Sequence, residues 1–450
     1  MIAIATQCDL LKWRSHQLVE AAAEAKIIIF SIVLEQPMLK QISFENWKSY
    51  RSAVLPIDPL TVLIGTNASG KSNALDALEF LTRTVRGKEI QAALSGDAML
   101  PSIRGGIEWA AFKPENYFRL SVLVQGEDGK IDYLYSIMVR TVQRLQLWSE
   151  SLISLHHHNE QEKAEKIYLF QTEELLADKP GIFVQFYRKQ GEIYKDFRRS
   201  NSILSQLNNF LLLPQETVEG ARIVSQVLQN IFILNPIPFL MRDYSPLSDS
   251  LESDASNIAG VLAALPDKHK AEVESTLSTY VKHLPERDIQ RVWAEPVGRF
   301  KTDAMLYCEE LWKPGETTEI DARGMSDGTL RFLAILTALL TRPEGSQLVI
   351  EEVDNGLHPS RAGLLLKMLR EIGAKRKIDI LVTTHNPALL DALGPEMVPF
   401  LVVAHRDTET GESKLTLLED IENLPKLMAS GPLGKLATKG AIERSLSGTK

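Results

Sequence analysis

The stretch Leu63–Asn73, LIGTNASGKSN, constrains this chain more than any other. It places Gly65, Gly70, Lys71 and Ser72 in the spacing G-x-x-x-x-G-K-[ST] of a phosphate-binding loop. The apolar run LTVLI precedes the loop, and leucines at helical spacing follow it. Such a strand–loop–helix unit brings backbone amides, a lysine ammonium and a serine hydroxyl to a triphosphate and its Mg²⁺. The alternative is a glycine-rich turn that binds nothing, and the flanking pattern argues against it.

We therefore expect ATP and Mg²⁺ as the cofactors. The nucleotide contacts are predicted along the whole loop, at Gly65, Thr66, Asn67, Ala68, Ser69, Gly70, Lys71, Ser72 and Asn73. Lys71 is predicted to reach the β- and γ-phosphates, and Ser72 to place its hydroxyl on the metal.

A second apolar run, residues 348–350, ends in two acids, Glu351 and Glu352. Two carboxylates at the end of a buried strand are costly unless a cation or water relieves them. Beside a phosphate loop, Glu351 is predicted to join Ser72 as a metal ligand. Glu352 is predicted to polarise the attacking water. Taken alone, the pair also fits a solvated strand end.

Two weaker signals accompany these acids. His385 follows the buried run ILVTT and could sense the γ-phosphate, although a lone histidine at a strand end is more often structural. Ser326 and Gly328 open the apolar helix that continues to residue 340, and a helix start of this kind can bind an anion. An ordinary N-cap is the alternative reading.

Composition limits the function classes. The net charge is −8, so the surface as a whole does not favour nucleic acid. Hydrophobic residues make up 44% of the 450 residues, and the two cysteines form no metal or disulfide spacing. The run KIIIFSIVL, residues 26–34, is too short to span a bilayer. We expect a cytoplasmic protein without a membrane partner.

Pattern changes along the chain suggest an α/β fold with four parts. Residues 1–37 form an N-terminal extension, or precede the true start at Met38. Residues 38–200 combine the phosphate loop with an antiparallel β-subdomain, because two hairpin patterns follow residue 117. Helical patterns dominate residues 201–300, which we interpret as a helical insert. Residues 301–450 return to alternating helices and short apolar strands, the pattern of a parallel sheet.

Four motifs in this order resemble the ABC-type ATPases of the SMC, RecF and OLD group, and among them the stand-alone bacterial AAA family of predicted ATPases. The motifs are ISFENWKSYR with LIGTNASGKSN, then GMSDGTLR, VIEEVDNGLHP and VTTHNP. In that group they correspond to Walker A, the ABC signature, Walker B with the D-loop, and the switch histidine. The resemblance implies an SMC-head-like ATPase with a mixed sheet.

The resemblance also implies a head-to-tail homodimer. ATP would lie between Lys71 of one copy and the signature residues Ser326 and Gly328 of the other. Glu352 would be the catalytic base and His385 the γ-phosphate sensor, so that the catalytic residues are Lys71, Glu352 and His385. Asp354 and Asn355 of the D-loop would cross the interface.

Some residues depart from the pattern of the group. Glu351 stands where many ABC proteins have aspartate, and Asp327 stands where ABC transporters have glycine. An acid this close to a γ-phosphate repels it unless the side chain turns outward. The glutamine of the Q-loop could be Gln125, Gln143 or Gln146.

Three functions remain open on the sequence. The first is a Mg²⁺-dependent ATPase that couples ATP hydrolysis to dimer closure. The second is a slow, ATP-gated sensor or scaffold that controls a separate effector, a nuclease or toxin, in antiviral defence. The third is a DNA-repair ATPase, which would need a basic stripe or a long coiled-coil arm, and the 201–300 segment is too short for that arm.

Overall fold

The computed structural model describes residues 36–446, except 143, 159–163, 173–180, 189–190, 208–212, 285–288 and 423. Most of the predicted N-terminal extension and one Q-loop candidate, Gln143, therefore lie outside the described residues. Among those that are described, no helix is long and apolar enough to cross a bilayer.

The strands are β1 (Met38–Trp47), β2 (Tyr50–Pro56), β3 (Leu60–Ile64), β4 (Tyr117–Gln125), β5 (Ile131–Arg140), β6 (Gln146–His156), β7 (Glu165–Thr172), β8 (Gly181–Arg188), β9 (Gly191–Arg198), β10 (Ile231–Leu234), β11 (Ser245–Pro246), β12 (Ile289–Val297), β13 (Asp303–Lys313), β14 (Glu316–Asp321), β15 (Gln347–Ile350), β16 (Asp379–Thr384), β17 (Leu401–Arg406) and β18 (Ser413–Leu417).

The α-helices are α1 (Lys71–Val85), α2 (Ile90–Ser95), α3 (Ile203–Gln206), α4 (Gln215–Gln229), α5 (Pro238–Met241), α6 (Ile258–Ala264), α7 (Asp267–Lys282), α8 (Asp327–Thr341), α9 (Ala362–Arg376), α10 (Pro387–Ala392), α11 (Leu424–Ala429), α12 (Leu433–Thr438) and α13 (Ala441–Leu446). Short 3₁₀ turns lie at 322–324, 359–361, 395–400 and 418–420.

A six-stranded sheet of order β10-β15-β16-β3-β17-β18 lies at the centre of the ATPase part. Its neighbours are parallel except β17 and β18. Strands β3 and β15 are buried at every position, as expected for a parallel sheet covered on both faces. Because β3, β15 and β16 are parallel, the residues that follow them meet at one edge, which we call the carboxyl edge.

Alternate residues of this sheet enter two separate hydrophobic cores. Val62 and Ile350 pack into the core that contains α8 and α9. Leu63 and Val349 pack into the core shared with α1, α4 and the antiparallel sheet. The period of two along each strand sends neighbours to opposite faces, so one short strand joins both cores.

The antiparallel sheet has eight strands in the order β2-β1-β4-β5-β6-β7-β8-β9. In β4 every second residue is buried, the pattern of a strand with one covered face. A smaller sheet pairs β13 with β11, β12 and β14. The predicted α/β class with mixed and antiparallel sheets is confirmed.

The interpretation of residues 201–300 as a helical insert is wrong in part. Helices α4 and α7 are present, but β10 forms the edge strand of the central sheet, beside β15. Strand β12 belongs to the smaller sheet. The run IFIL at 231–234 has only four residues, and its pairing partner is more than 100 residues away, so helical periodicity around it hid the strand.

Candidate functional site

The phosphate loop joins β3 to α1 at the carboxyl edge, and two glycines shape it. A Cβ atom on Gly65 would lie 2.2 Å from the carbonyl oxygen of Ala404. One on Gly70 would lie 2.8 Å from the hydroxyl oxygen of Tyr50. Their φ angles are 145° and 114°, which residues with a side chain rarely adopt. The path of the loop therefore requires glycine at both positions.

The start of α1 is left open for an anion. Its N-cap residue, Gly70, makes no side-chain hydrogen bond, and its first turn has no acidic residue. The hydroxyl of Ser69 is buried and has no hydrogen-bond partner within the described part of the chain. Free helix amides and an unpaired hydroxyl are the donors that a phosphate group accepts. The loop therefore fits a phosphate.

Lys71 is folded back onto the loop. Its Nζ donates to the carbonyl oxygens of Gly65, at 2.6 Å, and of Thr66, at 3.0 Å. Burial lowers the pKa of Lys71, while the charges of Glu352 and Glu351 act in the opposite direction. The ammonium thus lies inside the loop, bonded to carbonyls that a phosphate oxygen could replace.

Ser72 and Glu351 meet although 279 positions separate them. The Ser72 hydroxyl donates to Oε1 of Glu351 at 2.5 Å, at the end of β15. A hydroxyl and a carboxylate are the hard oxygen donors that Mg²⁺ prefers, and a phosphate would supply further oxygens. The residues at this point fit a magnesium ion, as the sequence predicts.

Glu352 and His385 lie together at the same edge. Nδ1 of His385 is 3.8 Å from Oε1 of Glu352. The backbone of Glu352 has a positive φ of 47°, and its N–H donates to Oγ1 of Thr383, at 2.8 Å, on the neighbouring strand. Both side chains are solvent-exposed, with 42% and 49% of their surface accessible for Glu352 and His385. The structure thus holds a carboxylate and an imidazole side by side, where a water molecule can reach them.

Three charged residues beside this site were missed by the sequence analysis. Arg104 donates to Glu351 with Nη1 at 2.7 Å and to Asp76 with Nη2 at 2.8 Å. Lys48 forms an ion pair with Asp76 and donates to the carbonyl oxygen of Arg104 at 2.7 Å. One signal was available, because Asp76 follows Ser72 by four residues and therefore shares its helix face.

The other predicted loop residues have separate partners. The carbonyl oxygen of Ala68 accepts from Nε of Arg406 at 3.0 Å. The side-chain amide of Asn73 donates to the Ser49 hydroxyl at 2.7 Å. This bond directs the Asn73 side chain toward the turn between β1 and β2. Asn67 is exposed. Their contacts with a nucleotide remain predictions.

Two cavities flank the phosphate loop. The first, about 390 Å³, is lined by residues that include Lys48, Arg104, Trp109 and Phe112. It offers an aromatic and cationic surface next to the loop. The second cavity, about 240 Å³, is lined by Gly65, Thr66, Asn67, His385 and residues of α12 and α13.

The predicted signature segment forms the N-terminus of α8. The Ser326 hydroxyl caps the helix by accepting from the N–H of Thr329 at 3.1 Å. Asp327 turns toward Arg242, which donates to its carboxylate at 2.6 Å. A Cβ atom on Gly328 would lie 2.7 Å from the carbonyl oxygen of Gly356, so this helix start packs against the predicted D-loop.

The D-loop residues differ in exposure. Asp354 is buried, and its Oδ1 has no hydrogen-bond partner among the residues that the structure describes. Asn355 is exposed, and its amide lies 3.4 Å from Oε2 of Glu352. The D-loop therefore runs from the predicted catalytic base to the signature helix within one chain.

The Q-loop residue is still open. Gln125 ends β4 and Gln146 begins β6. Both strands belong to the antiparallel sheet. Arg104, which precedes β4 in the chain, donates to Glu351.

Comparison with protein families gives one match over most of the chain. The family described as "AAA domain, putative AbiEii toxin, Type IV TA system" matches residues 60–391. This range contains the phosphate loop, the two acids after β15, the α8 start and His385. A protein of Helicobacter pylori (strain ATCC 700392 / 26695) named "ATP/GTP phosphatase" is 23% identical over 365 residues, which cover 79% of this chain and 87% of the relative.

Solved structures that match this chain over most of its length include heads of SMC proteins. An Smc head bound to the C-terminal winged-helix domain of ScpA has a TM-score of 0.48 and 15% identity, covering 84% of this chain and 97% of that one. The Thermotoga maritima SMC head has a TM-score of 0.39 and 14% identity over 84% and 98% of the two chains. For an Smc head with an extended coiled coil, bound to the C-terminal domain of ScpA and derived from Pyrococcus furiosus, the values are 0.47 and 12%, over 88% and 100%.

Proposed function

This chain belongs to the AAA domain family of ATPases, and on that premise we propose that it binds ATP with Mg²⁺ at the phosphate loop and hydrolyses it between two head-to-tail copies. The observation that carries the proposal is the meeting of Ser72, Glu351, Glu352 and His385 around the open start of α1. These residues come from the ends of two strands, β15 and β16, and from the first turn of one helix, α1. The relative named "ATP/GTP phosphatase" supports the same activity.

Each residue of the site has a separate task in this proposal. The amides of the loop and Lys71 bind the phosphates, and Lys71 exchanges its two carbonyl partners for phosphate oxygens. Ser72 and Glu351 hold Mg²⁺, which when bound neutralises phosphate charge and fixes the phosphate geometry.

Glu352 acts as the general base. Its carboxylate accepts a proton from the attacking water, and His385 contacts the γ-phosphate and keeps that water in line. The exposure of both side chains leaves room for water and for a partner surface above the loop. The nucleoside is placed in the cavity of Trp109 and Phe112, where a purine ring can stack.

The second copy supplies what the first lacks. Within one chain, the N-terminus of α8 packs against the D-loop at Gly356 and forms the wall of a different cavity from those beside the phosphate loop. A second chain in head-to-tail contact presents Ser326 and Gly328 to the γ-phosphate. ATP then links the two copies, and hydrolysis releases them, which couples the nucleotide to the conformational state.

The substitution Glu352→Gln tests this proposal directly. It removes the proton acceptor but keeps the size of the side chain, so ATP binding should be preserved. Hydrolysis should fall by about 10²–10⁴-fold. Dimers should accumulate when ATP is added, as measured by light scattering after size-exclusion chromatography.

Glu344→Gln is the matched control, because Glu344 is an exposed acid in the turn before β15. It should hydrolyse ATP and change mass with ATP as the unsubstituted protein does. If the Glu352→Gln protein has the same mass with and without ATP, the two-copy arrangement is wrong.

A second candidate function keeps the same site but with slow turnover. The description of the family mentions a toxin–antitoxin system, which favours a role in which the ATP state controls a separate effector protein. Single-turnover measurements decide between the two. ATP that stays bound for many minutes supports the gate, and multiple turnovers per minute without any added protein contradict it.

A further inference from the structure

Arg104 holds the predicted metal ligand. Its Nη1 lies 2.7 Å from Oε1 and 3.0 Å from Oε2 of Glu351, so it contacts both oxygens of that carboxylate. Oε1 is also the atom that accepts the Ser72 hydroxyl at 2.5 Å. The guanidinium is therefore bonded to the same carboxylate oxygens that a magnesium ion beside Ser72 would use.

A buried acid anchors the same guanidinium. Nε of Arg104 lies 3.1 Å from Oδ1 of Asp76, and Nη2 lies 2.8 Å from the same atom. Only 3% of the Asp76 side chain is exposed, against 51% of Arg104. Burial alone would lower the pKa of Arg104, but its bonds to Asp76 and Glu351 outweigh that effect and raise the pKa. Arg104 is thus a permanent cation with one buried partner, Asp76, and one partly exposed partner, Glu351, whose side chain is 20% exposed.

We propose that Arg104 is an exchangeable counter-ion for Glu351, which neutralises this carboxylate while Mg²⁺ is absent and releases it when the metal enters with ATP. This inference rests on the magnesium site of the proposed function. Two cations on one carboxylate repel each other strongly in a partly buried site. Asp76 keeps its bond to Arg104, so only the contact with Glu351 breaks. The released guanidinium stays on Asp76 and turns toward solvent, to which 51% of its side chain is already exposed.

The exchange gives Arg104 a positioning role that differs from a simple bond to the nucleotide. Without metal, Glu351 and Glu352 both lie near the phosphates, and Arg104 cancels the charge of one of them. The affinity for metal-free ATP should therefore depend on Arg104 more than the affinity for ATP with Mg²⁺ does. An arginine that only bonded the phosphates would instead contribute under both conditions.

The experiment measures the dissociation constant of a non-hydrolysable ATP analogue with excess Mg²⁺ and with excess EDTA. In Arg104→Gln we expect metal-free binding to weaken by about tenfold, because the charge of Glu351 beside the phosphates is then uncompensated. Binding with Mg²⁺ should change by less than about threefold. The ratio of the dissociation constant with EDTA to that with Mg²⁺ therefore rises. Equal weakening under both conditions, or no change in either, overturns the proposal.

Arg370→Gln is the matched control. Arg370 is exposed to the same extent, 51%, and pairs with an exposed acid, Glu396, at 3.0 Å. Its ratio of dissociation constants should match that of the unsubstituted protein. Arg104→Lys keeps the charge and should retain most of the metal-free affinity, which separates the charge effect from misfolding.

The two proposals fail in different ways. If Mg²⁺ does not strengthen binding of the analogue to the unsubstituted protein, the proposed magnesium site is wrong. If Mg²⁺ strengthens that binding and the ratio is the same in Arg104→Gln, only the exchange is wrong.

Discussion

Helices α1 and α8 have the same length, 15 residues, and the segment before each of them contains a glycine and a serine. Their N-termini nevertheless differ in chemistry. The N-cap of α1 is Gly70, without a side-chain bond, and no acid lies in its first turn. The N-cap of α8 is Ser326, whose hydroxyl accepts from Thr329, and Asp327 follows it.

Because of this difference, the start of α1 offers more free donors to an anion than the start of α8 does. The first amides of α1 have no acceptor within the helix, so they can donate to a phosphate. In α8 a hydroxyl takes one amide and a carboxylate already interacts with the positive end of the helix. A second anion can approach α8 only where Arg242 offsets the charge of Asp327. In the proposed dimer the two helix starts have different tasks: α1 binds the phosphates within one chain, and α8 of the second chain completes the site.

Substitution of Lys71 should have the largest effect on this comparison. Lys71→Ala removes the ammonium from the open site, and ATP affinity should fall by about 100-fold, the loss of charge-assisted bonds to two phosphates. Calorimetric titration with the ATP analogue measures it. Lys88→Ala, at a surface pair with Asp97, is the control. If Lys71→Ala binds ATP normally, α1 is not the binding end.

Substitution of Arg242 addresses the α8 end. In the Glu352→Gln background, Arg242→Ala leaves Asp327 uncompensated and should weaken ATP-driven dimerisation by about tenfold. Binding of ATP by one chain should not change. The dissociation constant of the dimer can be read from sedimentation velocity over a concentration series.

Arg323→Ala supplies the comparison for that result. Arg323 is an exposed arginine close to the same helix start, but its partner is Asp321 rather than Asp327. The Arg323→Ala variant, made in the same Glu352→Gln background, should dimerise as strongly as that parent. Equal losses in the Arg242 and Arg323 variants would mean that general positive charge matters, and that the pairing with Asp327 does not.

Loss of the α8 cap should give the smallest effect. Ser326→Ala removes the bond to Thr329 and should lower the free energy of unfolding by about 1 kcal/mol. The melting temperature of the nucleotide-free protein should fall by about 1–3 °C. Ser69→Ala, beside α1, should leave it unchanged, because within the described residues the Ser69 hydroxyl has no bond to lose. A larger fall for Ser69→Ala than for Ser326→Ala would reverse the comparison.

The family resemblance stated from the four motifs is confirmed by the family match over residues 60–391. The strand, loop and helix around Lys71 also follow the prediction, since β3 ends at Ile64 and α1 begins at Lys71. Such features depend on residues close together in the chain. The four-part division stays a prediction, and its segment 201–300 includes β10, which pairs with a strand more than 100 residues away.

The sequence alone determined the phosphate loop, because glycine positions, an apolar strand and a helix pattern act over a few neighbouring residues. It also determined that Glu351 and Glu352 end a buried strand. Only the tertiary structure decided that Arg104 contacts Glu351, 247 positions away, and that Arg242 faces Asp327. Ion pairs between distant residues depend on how strands and loops pack. The sequence around a charged residue does not identify its distant partner.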